Sequence, residues 1–140
     1  MGLTKSKNLS KAKKTCDKWF SLYIRLRDAN NSGTAKCVTC DKVDHWRSFD
    51  CGHFQSRRYL LTRYNEMNAH SQCVSCNQWG SGEQYKHAKA IDDLYGKGSA
   101  SELENKARGM QKMTKQDVME LAREFKAMAE ELAEQKGLEI

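Results

Sequence analysis

Two Cys-x-x-Cys pairs constrain the fold of this chain more than any other feature of its sequence. The first pair is Cys37 and Cys40, the second is Cys73 and Cys76, and residues 41–72 lie between them. Thiolate pairs at such spacings are typical of a tetrahedral zinc site that stabilises a small fold. Because four thiolates leave no open coordination position, we expect this zinc to be structural. Catalysis would then need a second metal ion nearby.

The size and composition of the chain agree with a small, metal-stabilised fold. It has 140 residues, of which 39% are hydrophobic and 30% are charged, so a large hydrophobic core is not expected. The formal charge of +6 favours a polyanionic partner, and we expect nucleic acid. No apolar run is long enough to span a membrane, and no signal-peptide core follows the N-terminus. We therefore expect a cytoplasmic protein without membrane contact, with Cys16 and Cys51 as buried thiols outside the zinc site.

Hydrophobic periodicity predicts helices on both sides of the cysteine region. Apolar residues recur every three or four positions over residues 10–29, which predicts a first helix that the turn formers at 30–33 end. A second helix is expected over residues 83–95, and a third begins with a capping box at Ser101. The cysteine region itself predicts one or two short strands over residues 46–54.

The last helix is the clearest of these predictions. Thr114 is placed to cap it, with Asp117 reaching back. Five apolar residues then follow at spacings of three and four: Val118, Leu121, Phe125, Met128 and Leu132. This seam either packs within the chain or contacts a second copy, and the sequence leaves both alternatives open.

A histidine and three polar residues in the cysteine region suit the hydrolysis of a phosphodiester. Such a reaction needs a base for water, a cation that neutralises developing charge, and a group that orients the base. His53 suits the first task because neutral imidazole is available at pH 7. The amide oxygen of Asn77 and the carboxylate of Asp50 are hard ligands suited to Mg²⁺ or Mn²⁺. Asn68 is either the group that orients His53 or an ordinary turn residue.

Basic residues are concentrated in the cysteine region and near the N-terminus. Six of them are candidates for phosphate contacts: Arg57, Arg58, Arg63, Lys11, Lys13 and Lys14. The alternative for each is a solvated surface position. We expect Trp46, Tyr59 and Trp79 to be packing residues, with stacking on an unpaired base as the alternative.

Three segments of the chain resemble a known family. Residues 20–28 read FSLYIRLRD, residues 50–57 read DCGHFQSR, and residues 68–77 read NAHSQCVSCN. The pattern CxxC…GH…N…CxxCN resembles the ββα-metal (His-Asn-His) nucleases and is similar to phage endonuclease VII. It is most similar to the lambdoid phage NinG (Rap) recombination endonuclease family, over residues 16–105.

The resemblance implies a fold and an activity. The expected fold is α+β, with a small ββα-metal zinc-bound core embedded in a mostly helical chain that ends in a long helix. Its segments would be a basic N-terminal helix at 1–32, the nuclease core at 33–97 and C-terminal helices at 98–140. The implied activity is a phage-encoded DNA endonuclease that cuts Holliday junctions and other branched DNA, including D-loop-like structures, during recombination in the bacterial host cell.

The resemblance also implies roles for the candidate residues. His53 would be the general base, oriented by Asn68, while Asn77 and Asp50 would bind a catalytic Mg²⁺ or Mn²⁺ beside the structural zinc. Symmetric cleavage of a four-way junction needs two active sites, so we expect a homodimer, with the C-terminal seam as one contact.

One position departs from the endonuclease VII-like pattern. There an acidic metal ligand directly precedes the histidine, whereas here Gly52 does so and Asp50 lies three residues before His53.

Two other functions stay open. A non-catalytic zinc-finger DNA-binding protein would use His53 and Asn77 for packing. A His-Asn-His nuclease without branch preference would share the chemistry and differ in substrate.

Overall fold

Two long helices from opposite ends of the sequence pack against each other and support the rest of the fold. The computed structural model describes residues 2–140, with side chains from residue 7 onward. Helix α1 spans Gly2–Asp28 and α5 spans Lys115–Lys136. The two run parallel, so their C-terminal ends meet, and there Lys136 donates hydrogen bonds to the carbonyls of Leu26 and Arg27. This ammonium adds a charged donor for carbonyls at the end of α1, where intrahelical donors run out.

Two small antiparallel hairpins and three shorter helices lie between α1 and α5. In chain order these elements are β1 (Thr34–Lys36), β2 (Val43–His45), β3 (Phe49–His53), α2 (Leu60–Arg63), β4 (Ala69–Cys73), α3 (Gln84–Tyr95) and α4 (Ser99–Ala107). Strand β1 pairs with β2, and β3 pairs with β4. A π-helical turn, Ser75–Trp79, follows β4. The expected α+β fold class with a long C-terminal helix is therefore confirmed.

The hairpin of β3 and β4 lies between α1 on one face and α3 on the other. Cys51 and Ala69 pack with Phe20 of α1. On the opposite face, His70 is paired across the hairpin with Gly52 and contacts His87 of α3. Because side chains alternate along a strand, this placement sends His53 to the α1 face and Asp50 to the other.

The apolar seam of α5 packs inside the chain. Val118, Ala122, Phe125, Ala129 and Ala133 are buried against α1, whereas three of the residues expected in the seam are only half-buried: Leu121, Met128 and Leu132. The rings of Phe125 and Phe20 meet edge to face with centroids 4.9 Å apart. The intramolecular alternative for this seam is therefore the observed one.

The helix ends show where local sequence decides a boundary and where it does not. The predicted capping box of Thr114 and Asp117 is present. The capping box predicted at Ser101 is wrong, because α4 begins at Ser99 and Ser101 lies inside its first turn. Asp92 of α3 accepts a hydrogen bond from the Ala100 N–H and so caps α4 from another helix.

The first helix shows the largest difference between a predicted and an observed boundary. The first helix begins earlier than expected, at Gly2, and ends at Asp28. Met1, in the first expected segment, lies outside the described residues. None of the helices within residues 2–140 combines the length and the apolar composition needed to cross a membrane.

A buried pair of histidines connects β4 to α3. His70 Nδ1 lies 3.1 Å from His87 Nε2, and His70 Nε2 lies 2.8 Å from the Tyr95 hydroxyl. Burial lowers the pKa of His70 to about 4 and that of His87 to about 3. Both imidazoles are therefore neutral at pH 7, and charging either one inside the fold is unfavourable.

The histidine pair predicts a loss of stability in mild acid. In the unfolded chain a histidine titrates near pH 6.5, so below this pH the unfolded state binds more protons than the folded state. Above about pH 6.5 the histidines are neutral in both states, and the free energy of unfolding has its full value. It decreases as the pH falls toward 4, because the unfolded state takes up protons that the folded state does not. We expect the free energy of unfolding to decrease by roughly 2–4 kcal/mol between pH 7 and pH 5. Urea unfolding of wild type and His87→Phe at several pH values measures this.

The variant should show a clearly weaker pH dependence than wild type, since it lacks one of the buried histidines whose pKa is lowered. His45 is exposed, so His45→Gln serves as the control and should keep the wild-type pH dependence. Equal slopes for wild type and His87→Phe would contradict the buried neutral pair.

Candidate metal centre and active site

The four cysteines of the two Cys-x-x-Cys pairs converge on one point. Cys37 follows β1 and Cys40 lies in the turn before β2, whereas Cys73 ends β4 and Cys76 lies in the π-helical turn. All four Sγ atoms lie within 4.8 Å of one another, and those of Cys40 and Cys73 are 3.6 Å apart. Tetrahedral zinc with Zn–S bonds of ~2.3 Å would place its sulfurs ~3.8 Å apart. The four cysteines could therefore bind a zinc ion.

Backbone donors favour the thiolate form, which zinc requires, at two of the four sulfurs, those of Cys37 and Cys73. The Cys73 N–H donates to Cys37 Sγ at 3.3 Å, and the Cys76 N–H donates to Cys73 Sγ at 3.4 Å. Burial opposes ionisation of Cys37, but donors from Cys73, Thr39 and Cys40 together lower its pKa to about 6. Within residues 2–140, this is the one group of histidine, cysteine and acidic side chains arranged to hold a metal ion.

The other two cysteines lie away from this cluster. Cys16 is buried and Cys51 is half-buried. Desolvation raises the pKa of Cys16 to about 11 and that of Cys51 to about 12. Both thiols are therefore protonated at pH 7, as expected for packing residues rather than metal ligands.

His53 and Asn77 meet in an open cleft of about 510 Å³ between α1, β3 and the π-helical turn. We call it the His53 cleft, and it is lined by Asp17, Ser21, Cys51, His53, Ser56, Arg57 and Asn77. The hairpin supplies the histidine, and the turn that carries Cys76 supplies the asparagine. The two expected residues are thus brought together beside the cysteine cluster, and α1 adds one wall.

The protonation state of His53 follows from its hydrogen bond. His53 Nε2 lies 2.9 Å from the backbone oxygen of Arg63. Because a carbonyl oxygen only accepts, Nε2 carries the proton and Nδ1 keeps its lone pair. Burial lowers the pKa of His53 below its ordinary value, so the ring is neutral at pH 7. A neutral ring with an unprotonated Nδ1 can act as a base.

Asn68 is fully buried and holds the loop that follows His53. Its Oδ1 accepts from the Gln55 N–H at 2.8 Å, and its Nδ2 donates to the carbonyls of Gln55 and Thr62, both at 3.0 Å. The hydrogen-bond partner of His53 is therefore Arg63 rather than Asn68, contrary to the direct orientation expected from sequence. Asn68 acts one step away, because it fixes the loop that leads to Arg63.

Asp50 contacts Asn77 but lies outside the lining of the His53 cleft. Asp50 Oδ2 accepts from Asn77 Nδ2 and from Gln78 Nε2, both at 3.0 Å. Since the amide nitrogen of Asn77 is turned toward Asp50, its Oδ1 is the atom left to bind a cation. The two expected metal ligands contact each other, with Asp50 orienting Asn77.

Packing explains why glycine precedes His53. A Cβ at Gly52 would lie 2.9 Å from Gln72 Cβ and closer still to the Gln72 amide oxygen. Gln72 is held in place because its Nε2 donates to Thr39 Oγ1 at 3.0 Å and to the Gly82 carbonyl at 2.8 Å. An acidic residue at position 52 would therefore collide with a fixed side chain.

A second cleft, of about 550 Å³, continues from the His53 cleft. This basic cleft is lined by Leu9, Ser10, Lys13, Lys14, Asp17, Arg57, Arg58 and Arg63, so the two clefts share Asp17 and Arg57. Lys11 lies outside it, in a neighbouring groove with Lys7 and Lys14. Five of the six expected phosphate-binding residues thus line one surface that leads to His53.

The arginines of the basic cleft differ in how free they are. Arg63 binds both oxygens of Asp17, through Nε at 3.0 Å and Nη2 at 2.6 Å, and its side chain is only 17% exposed. Arg57 approaches Asp17 only to 3.6 Å and is 61% exposed. Arg58 is also exposed. Arg57 and Arg58 can therefore meet a phosphate, whereas the guanidinium of Arg63 is already used inside the protein.

Sequence reasoning did not identify Asp17 as part of the site. A signal was present, because Asp17 is the only acidic residue before Asp28 in a strongly basic segment.

The packing expected of three aromatic residues holds for Trp46, which is buried, and Tyr59 is half-buried. It is wrong for Trp79, which ends the π-helical turn and is 83% exposed.

Comparison with known proteins identifies relatives of this chain. A family model described as "Bacteriophage Lambda NinG protein" matches residues 2–135. The chain is 30% identical over 84 residues to Protein ninG of Escherichia phage lambda, and 29% identical over 84 residues to those of Escherichia phage 933W and Salmonella phage P22. Each alignment covers 59% of this chain and 39% of the relative, so the match spans about two fifths of each phage protein. No solved structure matches the chain.

The cysteine cluster predicts one zinc ion per chain and folding that depends on it. Structural zinc contributes about 10–16 kcal/mol in small domains, which is comparable to or larger than a typical total stability. Cys73→Ser should therefore lose the zinc and much of its structure, whereas Cys51→Ala should keep the metal. Elemental analysis of the purified proteins and circular dichroism measure both effects. A Cys73→Ser protein that retains stoichiometric zinc would contradict the assignment.

The contact between Gly52 and Gln72 predicts a specific double-mutant coupling. Gly52→Ala should lower the free energy of unfolding by about 1–3 kcal/mol, because the new methyl group overpacks against Gln72. In a Gln72→Gly background, which removes both the amide oxygen and the Cβ that the new methyl group would meet, the same change should cost much less. Urea unfolding of the two single variants and the double variant gives the coupling energy. Additive effects would show that Gln72 is not what excludes a side chain at position 52.

Proposed function

Because this chain belongs to the NinG family, we propose that it is a metal-dependent DNA endonuclease that hydrolyses phosphodiester bonds in branched DNA, notably Holliday junctions, during phage recombination. One observation carries the proposal. A neutral histidine and an asparagine with a free amide oxygen meet in the His53 cleft, which opens into a cleft lined by lysines and arginines. The resemblance to branched-DNA nucleases supplies the substrate class.

The polar groups around Asn77 suit a hard divalent cation. The hydrogen bonds between Asp50 and its neighbours use Asn77 Nδ2, Gln78 Nε2 and Asp50 Oδ2. They do not use the other two oxygens, Asn77 Oδ1 and Asp50 Oδ1. Oxygen donors of this kind are those that Mg²⁺ and Mn²⁺ prefer. A bound ion would neutralise charge that develops on the scissile phosphate. Asn77, oriented by Asp50, would hold it.

His53 would act as the general base. Its Nδ1 accepts a proton from the attacking water while the water oxygen bonds to phosphorus and one backbone P–O bond breaks. The bond from Nε2–H to the Arg63 carbonyl stabilises the imidazolium that forms. Arg57, exposed at the junction of the two clefts, is placed to stabilise negative charge on the phosphate oxygens.

The basic cleft would carry the DNA backbone to the His53 cleft. Lys13, Lys14 and Arg58 line it, and Arg57 belongs to both clefts. Phosphate contacts of this type position a nucleic acid without reading its sequence, which suits an enzyme that selects a branch. Arg63 would contribute less, since Asp17 neutralises its charge.

A homodimer forms part of the proposal, because symmetric cleavage of a four-way junction needs two His53 clefts. The seam of α5 packs against α1 in this chain, so a contact through that face would compete with the fold. A second copy would therefore use other surfaces, including the half-buried and exposed faces of α5.

The proposed chemistry predicts that His53→Ala abolishes cleavage while leaving DNA binding intact. Loss of a general base should lower the cleavage rate by roughly 10²–10⁴-fold. Cleavage of a labelled four-way junction and a matched linear duplex in Mg²⁺ or Mn²⁺ tests this, with gel-shift binding in Ca²⁺. His45→Ala is the control, since His45 is exposed and does not line the His53 cleft.

Each outcome selects one function. Junction-selective cutting that disappears in His53→Ala supports the proposal. Equal cutting of both substrates would indicate a His-Asn-His nuclease without branch preference. Junction binding without cutting in either metal would indicate a non-catalytic zinc-finger DNA-binding protein.

A further inference from the structure

Asp17 is the one acidic side chain that lines the His53 cleft. It projects from α1, far from His53 in sequence, and its side chain is only 16% exposed. A carboxylate at this place is unfavourable for binding a polyanion, so its presence needs a reason other than substrate contact.

The contacts of Asp17 lead to His53 in two steps. Both oxygens of Asp17 accept from the Arg63 guanidinium, at 2.6 and 3.0 Å, in the bidentate geometry that makes such pairs strong. The backbone oxygen of the same Arg63 lies 2.9 Å from His53 Nε2. Arg63 Nη1 also donates to the Arg57 carbonyl at 3.2 Å, so the guanidinium joins α1 to the loop after β3.

Arg63 depends on such ties because its own helix is too short to hold it. Helix α2 has four residues, Leu60–Arg63, and Tyr59 before it makes no side-chain cap. A single helical turn is not stable by itself. The position of the Arg63 carbonyl is therefore set from outside, by Asp17 through the side chain and by Asn68 through Thr62.

We propose that Asp17 is a positioning residue for the catalytic base: it fixes Arg63, and the Arg63 carbonyl then fixes the orientation and the tautomer of His53. This inference rests on the proposed function, since it takes His53 as the base. Without the Asp17 carboxylate, the largely buried guanidinium of Arg63 loses its partner and turns toward water. Its carbonyl then no longer accepts a hydrogen bond from Nε2–H. The ring can adopt the Nδ1–H tautomer, in which Nδ1 cannot take the proton of the attacking water.

A direct role for Asp17 as a ligand of the catalytic ion fits the contacts less well. Arg63 occupies both carboxylate oxygens, and Arg57 lies 3.6 Å from one of them. Two guanidinium charges at this distance oppose the approach of a divalent cation. The carboxylate is thus already used for holding arginine.

The imidazole tautomer of His53 tests the proposal independently of any activity. Ring nitrogen chemical shifts, measured by NMR on the zinc-loaded full chain at neutral pH, distinguish Nε2–H from Nδ1–H. Wild type should show a single Nε2–H tautomer, and Asp17→Asn should show a mixture of the two. Arg57→Gln is the matched comparison: it removes the other arginine beside Asp17 but leaves the tie to Arg63, so it should keep the wild-type tautomer.

Junction cleavage supplies a second readout. Asp17→Asn should lower kcat by roughly 10- to 100-fold, as for a small misplacement of a catalytic group, with little change in KM. The effects of Asp17→Asn and Arg63→Lys should be strongly non-additive, because both variants break the same tie. Should Asp17→Asn fail to fold, as judged by zinc content and thermal unfolding, Arg63→Lys takes its place in both measurements.

The possible failures can be told apart. A single Nε2–H tautomer in Asp17→Asn, or in Arg63→Lys where Asp17→Asn does not fold, would overturn the positioning role. A wild type that cleaves no DNA would overturn the proposed function, while the tautomer comparison would still decide whether Asp17 positions His53.

Discussion

The convergence of four cysteine sulfurs is the interaction on which the rest of the structure depends. The β3–β4 hairpin has only two strands, and such a hairpin is marginal alone in water. Its far end is fixed because Cys73, paired with Phe49, belongs to the cysteine cluster. That register places His53 opposite Ala69, and Cys76 places the turn that carries Asn77. A zinc ion bound there would therefore set the relative positions of the two residues that meet in the His53 cleft.

The parts of the fold that could be predicted are those that local sequence determines. The spacing of the cysteines sufficed for the metal cluster, and the capping residues of α5 sufficed for its beginning. The start of α4 could not be read in this way, because Asp92 of a different helix caps it. The seam of α5 was visible, but its partner α1 lies about a hundred residues away in sequence. Periodicity shows which face is apolar and does not show what covers it.

In the candidate site, too, some features follow from local sequence and others from contacts between distant parts of the chain. His53, Asn77 and Asp50 were identifiable because their chemistry and their positions near the cysteines agree. Asn77 lines the cleft with His53 and contacts Asp50, which lies outside that cleft. The contact of His53 with Arg63 is a backbone interaction, which leaves no mark on residue type. Asp17 contacts Arg63 across the fold from α1, so no short motif contains it. Gly52 is explained by Gln72 on the neighbouring strand, and only the register of the hairpin shows this.

The two clefts contain both solvent-exposed charges and a largely buried ion pair. The exposed lysines and arginines face the solvent, whereas Asp17 and Arg63 neutralise each other beside His53.

The most direct test of the proposed metal-dependent centre is a crystal structure of the protein grown with Mn²⁺, with anomalous diffraction recorded at the zinc and manganese absorption edges. We expect zinc at the four cysteine sulfurs and manganese at Asn77 Oδ1, within the His53 cleft. Manganese bound elsewhere, or not bound at all, would contradict a metal-dependent catalytic centre at His53.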